Sequence, residues 1–343
     1  VGLSGRLARW AGPRPLVVAT PYGTRPRLHA EGEIARRHWH PATAPASASL
    51  LIVCGPATGD LATAVAEVWN AMPDPRTRAD LPADAGAADV TGALDAAAAH
   101  LARGAGTARN GDGVELPGGG GMAGRGEDRD GLRLDELHVP FGPVLADWPG
   151  GLVVETAVQG DVVQEATVKV VGAGPEAGEP FWDEPWHRAR RGERVPRGAA
   201  ERRGAAERLD GLARLLAVAG WPAAARAART LRDRLLADRP AAGLAAEFAR
   251  FERRVRGSRA LRWMLRGIDA GEYDVLERAG RRLDAIGTAL ARMDDDTPLS
   301  ANGPERESTL DRLPALLAGT ELAAARLIVA ALDPRTDAVT GHG

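Results

Sequence analysis

Cysteine occurs once in 343 residues, at Cys54. That excludes an intrachain disulfide, a CxxC redox pair and any four-cysteine zinc or iron–sulfur site built from this chain alone. Lysine also occurs once, at Lys169, so nearly all of the 44 basic residues are arginine, which reads as coding bias rather than chemistry. Aromatic residues make up 4% of the chain, and Ala, Leu, Val and Gly fill the gaps. No run approaches the ~18–20 uninterrupted apolar residues of a membrane span. Val1 to Trp10 carries arginines but no apolar stretch of the secretory kind. The 46 acidic residues leave a net charge of -2, which argues against a protein devoted to non-specific nucleic-acid binding. A cytoplasmic protein is expected, free or docked as a peripheral subunit.

What is present is enough for a real core. Apolar residues are 44% of the chain, and the length suits two or three domains. Residues 1–104 read as an α/β domain. Pro15 to Ala19 is a short apolar strand that stops at Pro21, Gly23 and Pro26. Residues 28–38 suit a charged helix. Ser49 to Gly55 is apolar throughout, as strands covered on both faces tend to be. Thr58 to Met72 places Leu61, Val65, Val68 and Met72 on one helical face, and Pro73-Asp74-Pro75 ends it. Asp89 to Arg103 is an Ala-rich helix. The alternation predicts a small three-layer domain with a parallel sheet, of flavodoxin-like type.

Residues 105–131 are glycine-rich, with four glycines in a row at 118–121, and read as a linker. A phosphate loop would need a preceding strand, a following helix and a Lys-Ser/Thr pair, none of which is there. Residues 132–172 predict a β-hairpin, Leu152 to Val158 and Val162 to Val171 about Gln159-Gly160-Asp161. Residues 173–200 form an Arg/Gly/Pro-rich connector holding Trp182, Trp186 and His187. Residues 201–335 predict a helical bundle: 205–219, 224–237, 242–256, 273–293 and a last helix from Ser308 to about Leu332.

Candidate chemical groups are few. His38-Trp39-His40 offers half of a metal site, but a closed zinc site wants four ligands and no others are placed nearby, so a surface pair is the expectation. Cys54 lies in an apolar strand, where a thiol is usually an inert small hydrophobe. Asp294-Asp295-Asp296 lacks the spaced ligands of a calcium loop and reads as a solvated acidic turn. Arg188, Arg190, Arg191, Arg194, Arg197, Arg202, Arg203 and Arg208 suit phosphates or anionic lipid, although Glu193, Glu201 and Glu207 dilute the field. Trp182 and Trp186, with Arg190 and Arg191, suit docking on a partner. Packing of the tryptophans against the bundle is the alternative.

The segment Leu51-Ile52-Val53-Cys54-Gly55-Pro56-Ala57-Thr58-Gly59-Asp60-Leu61-Ala62, followed by Val68-Trp69-Asn70-Ala71-Met72-Pro73-Asp74-Pro75-Arg76, resembles the small, B-type (20 kDa-type) subunit of NADH:quinone oxidoreductase, respiratory complex I, and the related nickel–iron hydrogenase small subunit. The resemblance covers about residues 14–84. Downstream, His138-Val139-Pro140-Phe141-Gly142-Pro143, Gly150-Gly151-Leu152 and Gly160-Asp161-Val162-Val163 resemble the N-terminal hairpin of the large (D-type) subunit of the same complex. A fainter likeness joins Leu327 to Pro334 to that subunit's C-terminal region; an ordinary helix end fits equally.

The resemblance implies a four-iron cluster held by four cysteines and a quinone contact made by histidines. The expected positions are changed. Thr20 to Arg27, the first loop, has no cysteine, and Asp84 stands past the Met-Pro element. Leu145 and Pro149 stand where the quinone-side histidines belong. The reading is therefore a degenerate fusion of complex-I-like pieces with no cofactor of its own. It would serve as a structural or assembly component at the inner face of the cell membrane, held there by other subunits without inserting into the bilayer. Two alternatives stay open. One is a genuine redox subunit whose cluster or quinone contact is completed by partner chains; the other is an adaptor or nucleic-acid binder using the arginine connector.

Overall fold

In the computed structural model the described residues are 12–104, 124–127, 133–172, 178–237, 241–303 and 308–337. They divide into two compact units. The first comprises residues 1–160, 169–178 and 336–343; the second comprises 161–168 and 179–335.

The first unit is α/β. Strands β1 (Pro15–Ala19), β2 (Leu50–Cys54) and β3 (Thr77–Leu81) form a parallel sheet in chain order, β1-β2-β3. The register aligns Ala19, Cys54 and Leu81 at its carboxyl end. Helices α1 (Thr24–Arg36), α2 (Gly59–Asn70) and α3 (Ala87–Gly104) connect and follow the strands. Alternation along β2 sends Leu50, Ile52 and Cys54 to one face with Ile34, Val90 and Leu94. It sends Leu51 and Val53 to the other face with Leu61, Val65 and Met72. All five β2 side chains are buried, hence the unbroken apolar run. Each such Leu, Ile or Val contributes about 1.5–3 kcal/mol.

Strand β3 was not anticipated. Thr77-Arg78-Ala79-Asp80-Leu81 reads as polar, but alternate residues are buried and Arg78 pairs with Asp80 at 2.7 Å on the exposed side. It is an edge strand of the three, so one polar face is permitted.

A second sheet has the order β4-β5-β6-β7, from β4 (Gly124–Glu127), β5 (Arg133–Phe141), β6 (Leu152–Gln159) and β7 (Val162–Val170). β4, β5 and β6 pair antiparallel. The β6–β7 turn holds Gly160 at φ +63°. Most of the expected linker, 105–123 and 128–131, lies outside the described residues; 124–127 form β4.

The second unit is mainly helical. α4 (Glu184–Arg190) lies within the expected connector, started by Pro185 in its first turn, where a missing N–H costs nothing. α5 (Arg197–Val218) begins eight residues before the expected 205. Gly198, within the expected connector, is helical and serves close contact: a Cβ there would lie 2.1 Å from the Met293 carbonyl oxygen. α6 (Pro222–Leu236), α7 (Ala241–Gly257), α8 (Arg259–Leu265) and α9 (Val275–Leu290) follow. Asp274 and Glu277 form a reciprocal capping box at the start of α9. The expected last helix is two helices, α10 (Leu313–Leu317) and α11 (Leu322–Leu332). Ala318 is extended and Gly319 takes φ +80°, which breaks the helix and lets Val163 exchange backbone hydrogen bonds with Gly319 and Thr320.

Candidate functional site

In parallel sheets, ligands gather beyond the carboxyl ends of the strands. Here that end carries the Thr20–Gly23 turn, the Gly55–Thr58 loop and the Pro82–Ala85 turn. The first two are locked together through backbone. Thr20 N–H donates to the Cys54 carbonyl at 2.9 Å, and Gly23 N–H donates to the Thr20 carbonyl at 3.0 Å. Gly55 N–H donates to the Leu81 carbonyl at 2.8 Å.

Glycine makes this closure possible. Gly55 has φ +88°, and a Cβ on it would lie 2.2 Å from Thr20 Oγ1 and 2.9 Å from Gly23 Cα. A Cβ on Gly23 would meet the Cys54 carbonyl oxygen at 1.8 Å. The Gly150–Gly151 turn joins the same spot within this unit. A Cβ on Gly150 would lie 2.6 Å from the Thr20 carbonyl oxygen, and one on Gly151 would lie 2.8 Å from the Pro21 ring. Thr20 is 1% exposed, and its hydroxyl has no hydrogen-bond partner. The turn is therefore a buried, glycine-fitted junction.

The donor set does not fit a four-iron cluster. The Thr20–Gly23 turn carries no thiol, Asp84 is exposed, and Cys54 is wholly buried within β2. Burial pushes the Cys54 thiol far above its ordinary range, with Arg27 opposing this and Glu31 reinforcing it. Among the described residues no three His, Cys, Asp or Glu side chains are grouped to hold a metal. His38 and His40 are exposed, and Arg37 lies over the Trp39 ring between them. Asp295 accepts hydrogen bonds from the Thr297 hydroxyl at 2.6 Å and backbone N–H at 2.9 Å. These lower its carboxyl pKa. Leu145 is half-buried and Pro149 is buried.

The connector residues separate in the second unit. Trp182 is 5% exposed and meets Phe181 edge-on, with ring centroids 5.0 Å apart. Trp186 is half-buried, near Gly303. Arg190 and Arg191 are exposed. Arg190 reaches His187 Nδ1 at 3.0 Å, and Arg191 pairs with Glu179 at 2.9 Å. Arg188 pairs with Glu193 at 2.7 Å, and Arg203 with Glu184 at 2.6 Å. Several of the connector's positive charges are thus matched locally.

A charge network in the same unit was not anticipated. Arg232, 0% exposed, donates to Asp210 at 2.5 Å. Asp210 also meets Arg214 at 3.1 Å, and Arg214 reaches Asp333 at 2.7 Å. Asp333 takes φ +52° at the end of α11, where the side chain of Arg282 donates to the Ala331 carbonyl at 2.8 Å. Gly211 leaves room for Asp333: a Cβ there would lie 2.2 Å from Oδ2. Burial lowers the Arg282 pKa, and Asp333 is the leading opposing influence. The sequence signal was Asp210 and Arg214 at i,i+4 inside a leucine-rich helix. Every acid in the network already faces a guanidinium, so its evident work is structural. No protein-family model matches this chain, and no curated protein matches it.

Proposed function

We propose that the chain is a degenerate complex-I-like subunit. It keeps the layering expected of a small subunit, although its strand order β1-β2-β3 departs from the 2-1-3 order of a flavodoxin-like sheet, and fuses it to a large-subunit-like hairpin. It acts as a non-catalytic structural or assembly component of a membrane-associated NADH:quinone oxidoreductase-like complex, at the inner face of the membrane, with other subunits of that complex as its partners.

One observation carries this reading. The turn after β1 and the Gly150–Gly151 turn, which resemble pieces of two neighbouring subunits, meet backbone to backbone in one unit, and neither supplies a cluster ligand. A site rebuilt around Gly55 and Thr20 has exchanged thiolates for close packing. Fold likeness does not restore a missing site.

Iron content and electron paramagnetic resonance of the anaerobically purified chain test the non-catalytic part. No stoichiometric iron is expected. A four-iron signal in stoichiometric yield would establish the rival redox subunit instead.

A further inference from the structure

In the second unit, the end of α7 and the whole of α8 carry an unusual surface. Residues 250–266 contain seven arginines and one acid, Glu252. Arg253, Arg254, Arg256, Arg259, Arg262 and Arg266 are exposed. The helical period explains the arrangement. Leu261 and Leu265, four residues apart, turn inward and are 4% and 0% exposed. Trp263 and Met264 are thereby turned outward, at 80% and 37% exposure. Ser258 caps α8 by accepting from Leu261 N–H, and Arg262 donates to the Arg256 carbonyl at 3.1 Å, which ties the two arginine groups together.

The charge is largely uncompensated. Glu252 and Asp284 both meet Arg256, and Arg254 lies over the Trp221 ring. Among the described residues Arg253, Arg259 and Arg266 make no ion pair. A chain of net charge -2 has thus collected positive charge around Trp263, the most exposed tryptophan among the described residues.

We infer that this surface binds the headgroup layer of an anionic lipid bilayer. The chemistry is complementary at two depths. Arginines meet lipid phosphates, while an indole beside a methionine settles at the boundary between headgroups and acyl chains. The contact lies on the membrane and crosses nothing. Among the described residues, no helix is long and apolar enough to span a bilayer. Because the surface acts without partner chains, it stands or falls separately from membership in an oxidoreductase complex.

The test uses the full chain, purified alone, and flotation with phosphatidylcholine vesicles with or without phosphatidylglycerol. Binding is expected only with the anionic lipid and is expected to weaken as salt rises. Arg259→Glu and Arg266→Glu should each weaken it by at least roughly fivefold, since one arginine near a charged surface is worth about that factor. Arg259→Lys should retain binding, because the charge remains. Trp263→Ala should weaken it with circular dichroism unchanged, as an 80% exposed ring supports little of the fold. Equal binding to both vesicle types, or binding unaffected by these substitutions, would overturn the inference. So would failure to bind vesicles under conditions where the chain binds a single-stranded RNA through the same arginines.

Discussion

Gly55 lies so close to Thr20 that a methyl group on it would sit 2.2 Å from the threonine hydroxyl oxygen. This contact joins the ends of β1 and β2, and it makes the candidate site a packed junction. Gly55→Ala should destabilise the chain by about 2–4 kcal/mol, from the strain of φ +88° together with overpacking. In a Thr20→Ala background the loss should shrink, because the hydroxyl is the nearest obstacle. Urea unfolding of the two single variants and the double variant measures the coupling.

Arg232 and Asp210 should behave as a buried pair. Arg232→Met leaves Asp210 with one cationic partner fewer and should cost about 3–5 kcal/mol. Equilibrium unfolding followed by circular dichroism reads this loss. A cost below about 1 kcal/mol, the range of an exposed pair, would show that the network carries little.

These two sites were unequally legible. The β2 strand and the helices after it were readable because all five strand residues are apolar and Leu61 and Val65 keep helical spacing. β3 was hidden because Arg78 and Asp80 occupy its exposed side, leaving an apolar signal too short to notice. The break between α10 and α11 was hidden because Gly319 can sit within a helix at modest cost, and backbone pairing with Val163 decides otherwise. Trp263 has no signal of its own in the sequence. Its exposure follows from the inward turn of Leu261 and Leu265. The Thr20–Gly55 closure was not legible, because it depends on loops more than thirty residues apart.

Cys54 should be silent in the folded chain. A thiol reagent at mildly alkaline pH should modify it only after unfolding. Because its folded pKa is raised above the ordinary 9.0, the unfolded chain loses this proton first. This contribution to stability is complete below pH 9 and declines as pH rises further. Cys54→Ala should remove that alkaline decline, measured by urea titration across the range.

Glu33 should contribute at the opposite end of the scale. Hydrogen bonding from Arg36, then from Arg37, overcomes partial desolvation and holds its carboxyl at about 2 against an ordinary 4.5. The contribution is present above pH 4.5 and lost as pH falls toward 2. Arg37 also pairs with Asp95 at 2.7 Å, so the same arginine links α1 to α3. Glu33→Gln should flatten this acid limb of the stability curve, and an unchanged limb would show that the hydrogen bonds are not maintained in solution.

We propose membership in a membrane oxidoreductase without a cluster of its own. The most direct measurement is affinity isolation of the full chain from membranes solubilised in mild detergent, with identification of every stoichiometric partner. The expected partners are subunits of an NADH:quinone oxidoreductase-like complex, retained through a second purification step. Recovery of the chain alone, or with stoichiometric partners unrelated to quinone reduction, would contradict this proposal.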